Sequence, residues 1–318
     1  MTTMEPVDTV ARTAVGLAAI GRPAYINLGR TAALPADRDV AALRERTFTV
    51  LDAAYAAGVR RVDAARSYGR AEEFLAAWLA DRRPVDVVVS SKWGYAYVGD
   101  WRLDAEVHEV KEHSLARFRV QWEQTRSLLG DAVSLYQVHS LTQDSPLFDD
   151  RALLEALAAL AESGVRVGFS TSGPKQADTV RRALELRVHG SPVFTAVQST
   201  WNLLEPSVGQ ALREAHEAGA LVQVKETLAN GRLAVDPPAA LVEVARRHGV
   251  GSDAVALAAV YAQPWADVVL VGPASTDQLR SNVAGAALTL DADALAELGE
   301  LARAPERYWA ERSALAWR

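Results

Sequence analysis

No cysteine occurs among the 318 residues, so disulfide staples, zinc-thiolate centres and thiol nucleophiles are excluded at the outset. Long apolar runs are missing too. None reaches the roughly 20 residues a membrane-spanning helix needs. The opening stretch MTTMEPVDTVARTAVGLAAIG sets Glu5 and Asp8 ahead of its apolar part, where a secretory signal would begin basic. A basic excess is also absent, since 34 lysines and arginines face 40 acids for a formal net charge of −6. Phosphate backbones need a concentrated basic face, so nucleic acid is not the expected partner. The remaining composition, 49% hydrophobic and 23% charged, is that of a soluble protein. The expectation is a cytoplasmic chain that handles a small molecule, with no membrane partner and its oligomeric state open.

What is present is an alternation of short apolar runs with longer amphipathic stretches. The runs are AYINL (24–28), VRRVDA (59–64), VDVVVSS (85–91), AVSLYQVH (132–139), GVRVGFS (164–170), VFTAVQS (193–199), ALVQVKE (220–226) and DVVLVG (267–272). Their length and their enrichment in β-branched and aromatic residues favour buried parallel strands. Stretches such as LRERTFTVLDAAYAAG and RALLEALAALAESG close on Gly58 and Gly164, where a helix C-terminus wants a left-handed residue. Eight such units in one chain predict an α/β fold, a (β/α)8 TIM barrel, as a single domain over residues 1–318. A doubly wound sheet is the alternative, but no GxGxxG follows the first run. The tail from residue 290 reads as one extra C-terminal helix. The aromatic-rich stretch 93–111 reads as a long functional loop.

In a barrel of this kind, reactive groups sit where the strands end. Those ends carry Asp63, Lys92, His139, Ser170, Thr171, Gln198, Lys225, Glu226 and Gly272, with Tyr68 five residues beyond Asp63. Singly, each has a plain explanation: a cap, a core histidine, a lysine reaching for solvent, a loop aromatic. Together they suit proton transfer from a phenol. Tyrosine, with a pKa near 10, is a stable acid at neutral pH, and an ammonium beside it would lower that value. Lys92 is the expected ammonium, Asp63 its balancing charge, and His139 the group that orients a carbonyl oxygen.

With these residues in view, the sequence resembles the aldo-keto reductase family. VDAARSYG matches its Asp-x4-Tyr element, SSKW its lysine and LYQVHS its histidine; VGFSTSG, VQSTWNLLEP and VGPASTDQLRSN resemble its cofactor segments, in the right order over roughly residues 24 to 290. The resemblance implies an NADP(H)- or NAD(H)-dependent oxidoreductase without a metal, with Tyr68, Lys92, Asp63 and His139 catalytic. It further implies that Ser170, Thr171, Gln198, Lys225, Glu226, Leu228, Gly272, Ala274, Gln278 and Asn282 hold the cofactor, with Ser170 and Gln198 on the carboxamide.

Three departures stand out. Thr171 replaces the usual asparagine, and Lys225 stands where many relatives place an aromatic against the nicotinamide. Gly272, Ala274 and Gln278 stand where cations often meet a 2′-phosphate. Fewer charge-assisted bonds there lead us to expect relaxed or NAD-tolerant specificity. For substrate, Trp93, Tyr95, Tyr97, Trp101, Trp201 and Arg30 are the candidates. Two alternatives remain at this point: a Lys92 Schiff-base aldolase, and a cofactor-binding redox-sensing subunit with little turnover.

Overall fold

Eight short, largely apolar segments pair side by side in parallel and close on themselves. The computed structural model describes residues 9–317; Glu5 and Asp8, on which the reading of the N-terminus rests, lie outside them. The strands are β1 (Thr13–Gly16), β2 (Arg61–Asp63), β3 (Val88–Trp93), β4 (Val133–Leu141), β5 (Arg166–Thr171), β6 (Ala196–Thr200), β7 (Leu221–Lys225) and β8 (Val268–Val271). They form one closed barrel, β8 returning to pair with β1 through Thr13 opposite Val269. Every residue of β6 and β8 is buried, because helices cover the outside while the barrel fills itself from within. The expected (β/α)8 barrel is therefore the observed fold.

Helices are held by the apolar stripe that their sequence writes. Leu153, Leu154, Leu157 and Leu160 of the helix Arg151–Glu162 are all buried, each worth about 2 kcal/mol of transfer free energy. Asp150 starts that helix by accepting from the Leu153 amide at 3.0 Å. It ends before Gly164, which adopts φ +97°, as Gly58 adopts φ +92° after the helix Val40–Ala56.

Three expectations need correction. AYINL (24–28) is not a strand; the first barrel strand is TAVG (13–16), inside the segment read only for targeting signals. Both runs are apolar, and what separates them is a ladder partner on each side. TAVG has β2 and β8, whereas Leu28 bonds through its amide to the Asn230 carbonyl of a distant loop. The tail forms two helices rather than one, Ala292–Gly299 and Pro305–Ser313, since a proline accepts only the first turn. Tyr308 and Trp309 of the second are buried with Leu204, Leu241 and Leu298 in a core patch outside the barrel. The stretch 93–111 is more ordered than a loop: Tyr95–Tyr97 pairs antiparallel with Glu109–Lys111.

Candidate active site

Asp63 is the last residue of β2, and the chain beyond it is kept in register by continued pairing with β3. The Ala64 amide bonds to the Ser90 carbonyl at 2.8 Å and the Arg66 amide to that of Lys92 at 3.0 Å. Arg66 is tied to the buried Glu72, which also accepts from Thr125. Gly69 completes the turn at φ +61°, where a Cβ would lie 2.5 Å from the Gly21 carbonyl oxygen. Tyr68 is thereby fixed over the barrel mouth.

Lys92, fully buried, donates to Asp63, to the Ala64 carbonyl at 3.0 Å and to the Tyr68 hydroxyl oxygen at 3.3 Å. Asp63 accepts in addition from Ser90 Oγ at 2.7 Å and from Gln198 Nε2 at 3.2 Å. An unpaired ion would be costly here, and each is matched. The His139 ring meets Tyr68 edge-on, with centroids 5.5 Å apart. Asp63, Tyr68 and His139 thus line one cleft, with Lys92 bonded to the first two. Lys92 Nζ donates to three oxygens and does not line the cleft, a placement that counts against the Schiff-base aldolase alternative.

One electrostatic expectation is overturned. Burial, and next the Asp63 carboxylate, push the Tyr68 phenol well above its ordinary value rather than below it. Burial and the Lys92 and Lys225 ammoniums push His139 well below the ordinary imidazole range. At neutral pH the site therefore holds a protonated phenol beside a neutral imidazole.

These groups open onto a cleft of about 370 Å³ that runs outward from the barrel mouth, within the usual size range of small-molecule sites. Asp63, Tyr68, His139, Gln198, Lys225, Glu226, Leu228, Gly272, Ala274, Gln278 and Asn282 line it. Ser140, Glu226 and Asn230, also on its wall, take positive φ, a strain of roughly 1–3 kcal/mol each that tends to persist at functional positions. Lys225 donates to Thr200 Oγ1 at 2.9 Å and lies 3.7 Å from Glu226; burial brings its ammonium down to about 8. Burial opposes ionisation of Glu226, but Arg312 and then Lys225 outweigh it and hold the carboxyl at about 2.

Other expected residues fall elsewhere. Ser170 accepts from the Ser140 amide at 2.8 Å, and Thr171 bonds to Ser199 at 2.6 Å; both are fully buried and neither lines the cleft. Trp93 packs on Phe118 and His113, Trp201 on Trp265, and Trp101 on Phe74, all as packing residues away from the cleft. Tyr97 receives the Trp101 amide at 3.1 Å, also outside it. Arg30 touches the cleft but spends its guanidinium on the carbonyls of Ala19, Arg22 and Pro23, so it serves the loop and not an anionic substrate. Of the six substrate candidates, Tyr95 faces the cleft with such a role still open.

Sequence reasoning missed Arg22, Tyr25, Glu109, Asp253, Arg312 and Trp317, all of which line the cleft. Arg22 is buried, paired with Glu109 at 2.6 Å and placed over the rings of Tyr25, Tyr68 and Trp317. Recognising TAVG as a strand would have exposed Arg22 as a residue beyond a strand end. Trp317, stacked on His108 at 4.4 Å, left no local signal.

Comparison with known proteins adds to this geometry. A model of the Aldo/keto reductase family matches residues 36–303. "Protein tas" of Escherichia coli K12 is 26% identical over 310 residues, covering 78% of this chain and 86% of that protein. "Aldo-keto reductase str7" of Strobilurus tenacellus is 24% identical over 297 residues, covering 82% of each. The crystal structure of PA4992 from Pseudomonas aeruginosa, named as a candidate aldo-keto reductase, superposes with a TM-score of 0.62 at 24% identity, over 90% of this chain and 95% of that one.

Proposed function

The chain belongs to the aldo/keto reductase family, a family of oxidoreductases, and on that premise we propose that it interconverts a small carbonyl compound and its alcohol with a nicotinamide dinucleotide, Tyr68 exchanging the proton. The observation that carries this reading is the Lys92 bond to the Tyr68 oxygen. Because that oxygen already accepts from Lys92, its own O–H is directed elsewhere, toward a carbonyl oxygen seated between Tyr68 and His139. The neutral His139 imidazole is the second polar group positioned to touch that oxygen. When bound, the nicotinamide supplies hydride to the carbonyl carbon.

The cleft suits such a cofactor. Asn230, on its wall, has a buried Oδ1 with no partner. At Gly272 a Cβ would meet nothing within 4 Å, so the backbone there lies open to close approach. Gln198 commits its Nε2 to Asp63 and to Gln223 at 2.8 Å, which leaves Oε1 to accept from a carboxamide. Leu228, Gly272, Ala274, Gln278 and Asn282 would line the remainder. Lys225 cannot stack on a ring as an aromatic does; it would present a charge to the cofactor's ribose or phosphate. Arg22, Tyr25, Tyr95 and Trp317 would enclose the substrate, their rings suiting aryl or sugar carbonyls.

A nicotinamide absorbance assay over aldoses, aryl aldehydes and short ketones tests this reading, run beside Tyr68→Phe. Activity on one class, falling by about 10² to 10⁴ in the variant, is the expected result. Wild-type turnover in Tyr68→Phe would remove Tyr68 from the chemistry. Binding of cofactor with no reduction of any carbonyl would favour a sensing subunit.

A further inference from the structure

Resting on the reading above, we propose that Asp253 selects NAD(H) against NADP(H) by placing a carboxylate where the second cofactor's extra phosphate would lie. If the nicotinamide sits beside Tyr68, the adenosine lies at the opposite end of the cleft. Two outer helices, Ser252–Tyr261 and Thr276–Ala287, reach the lining of the same cleft and would flank that adenosine. Asp253, Gln278 and Asn282 are their polar contributions to the cleft lining. Asp253 accepts from Asn282 Nδ2 at 3.3 Å, and no lysine or arginine pairs with it among the described residues.

The cations that do line the cleft are committed elsewhere. Arg22 pairs with Glu109, Arg30 bonds to backbone carbonyls, and Lys225 and Arg312 flank Glu226. Arg280, the remaining cation on the Thr276–Ala287 helix, is largely exposed and paired with Asp277 at 2.8 Å. A phosphomonoester brings about one and a half to two negative charges at neutral pH. Meeting a carboxylate with no compensating cation, it is repelled, whereas a ribose hydroxyl can donate to the same oxygen. One residue then acts in both directions: it accepts from the 2′-hydroxyl of NAD(H) and disfavours the 2′-phosphate of NADP(H).

Asp253 also stands in the first turn of its helix, where an acid is favourable to the helix dipole. That role concerns stability and predicts no discrimination between dinucleotides. Isothermal titration calorimetry with NADH and with NADPH, on wild type and on Asp253→Asn, separates the two without turnover. The amide keeps the shape and an oxygen for Asn282 but removes the charge. Expected are tighter binding of NADH by wild type and a ratio narrowed at least about tenfold in the variant, chiefly through tighter NADPH. Should the variant fold poorly, a salt series on wild type still decides: the ratio must shrink as ionic strength rises, because the repulsion is screened.

An unchanged ratio in Asp253→Asn, with both dinucleotides bound, overturns the assignment of Asp253 and leaves the proposed function standing. A wild-type ratio that favours NADPH or ignores salt does the same. Failure of wild type to bind either dinucleotide overturns both.

Discussion

At the residue scale the proposed chemistry turns on the proton on Tyr68. Burial and Asp63 hold that phenol well above its ordinary value, so reduction, which needs the protonated form, should not lose kcat/KM until pH passes about 10. The oxidative direction, which needs the phenolate, should gain as pH rises. His139, pushed below the ordinary imidazole range, is already neutral above pH about 6.5 and adds no limb between there and 10. A pH profile of kcat/KM for reduction checks this, and a decline centred near neutrality would remove Tyr68 as the acid. Asp63, Lys92 and His139 were legible because each closes an apolar run, a place where an unmatched charge would not survive, and Tyr68 by its spacing from Asp63. Arg22 and Asp253 were not, since a lone charge beside a turn or in a first helical turn looks like any solvated residue. The direction in which Tyr68 departs from its ordinary value was misread for a related reason: sequence shows which charges are near one another in pattern but not how much water they lose.

At the scale of elements, two contacts position the site. Gly168 of β5 faces Ala196 of β6 in register, and a Cβ there would come within 2.7 Å of the Ala196 carbonyl oxygen. Gly168→Ala should therefore lower stability by about 1–3 kcal/mol through overpacking, read as a lower urea midpoint at unchanged slope. The second contact joins the C-terminal helix Pro305–Ser313 to the cleft, where Arg312 donates to both oxygens of the nearly buried Glu226, at 3.0 and 2.8 Å from Nε. Arg312→Ala leaves that carboxylate without its main partner and should cost about 3 kcal/mol, with faster amide exchange across residues 305–313.

The pH dependence of that deficit has a definite sign. Glu226 is held down at about 2 in the folded chain and lies near 4.3 when unfolded. Its contribution is therefore fully present above about pH 4.3 and fades as pH falls toward 2. The difference between wild type and Arg312→Ala should shrink across the same window in denaturant titrations. A difference constant from pH 6 to about 2 would assign the helix's stability to Tyr308 and Trp309 instead.

At the scale of the whole molecule, β1 and β8, separated by more than 250 residues, close one barrel, so most of the core is available only once both ends of the chain are in place. We expect unfolding as one cooperative event, with far-ultraviolet circular dichroism and tryptophan fluorescence giving coincident transitions. Two separated transitions would show that residues 1–318 are not a single unit, and would point to the patch around Tyr308 and Trp309 as the independent part.

Seven of the eight barrel strands, the barrel itself and the grouping of Asp63, Tyr68, Lys92 and His139 were legible in the sequence alone. Hydrophobic periodicity, helix-ending glycines and polar residues at strand ends are local signals, and the barrel's closure converts them directly into positions. Only the tertiary structure decided which apolar run opens the barrel, which aromatics face the cleft, and which charges meet there. Trp93, Trp101 and Trp201 have the same chemistry as Trp317, and AYINL is as apolar as TAVG. What distinguishes them is the partner each finds across the fold, and that depends on distances the chain acquires only when it closes.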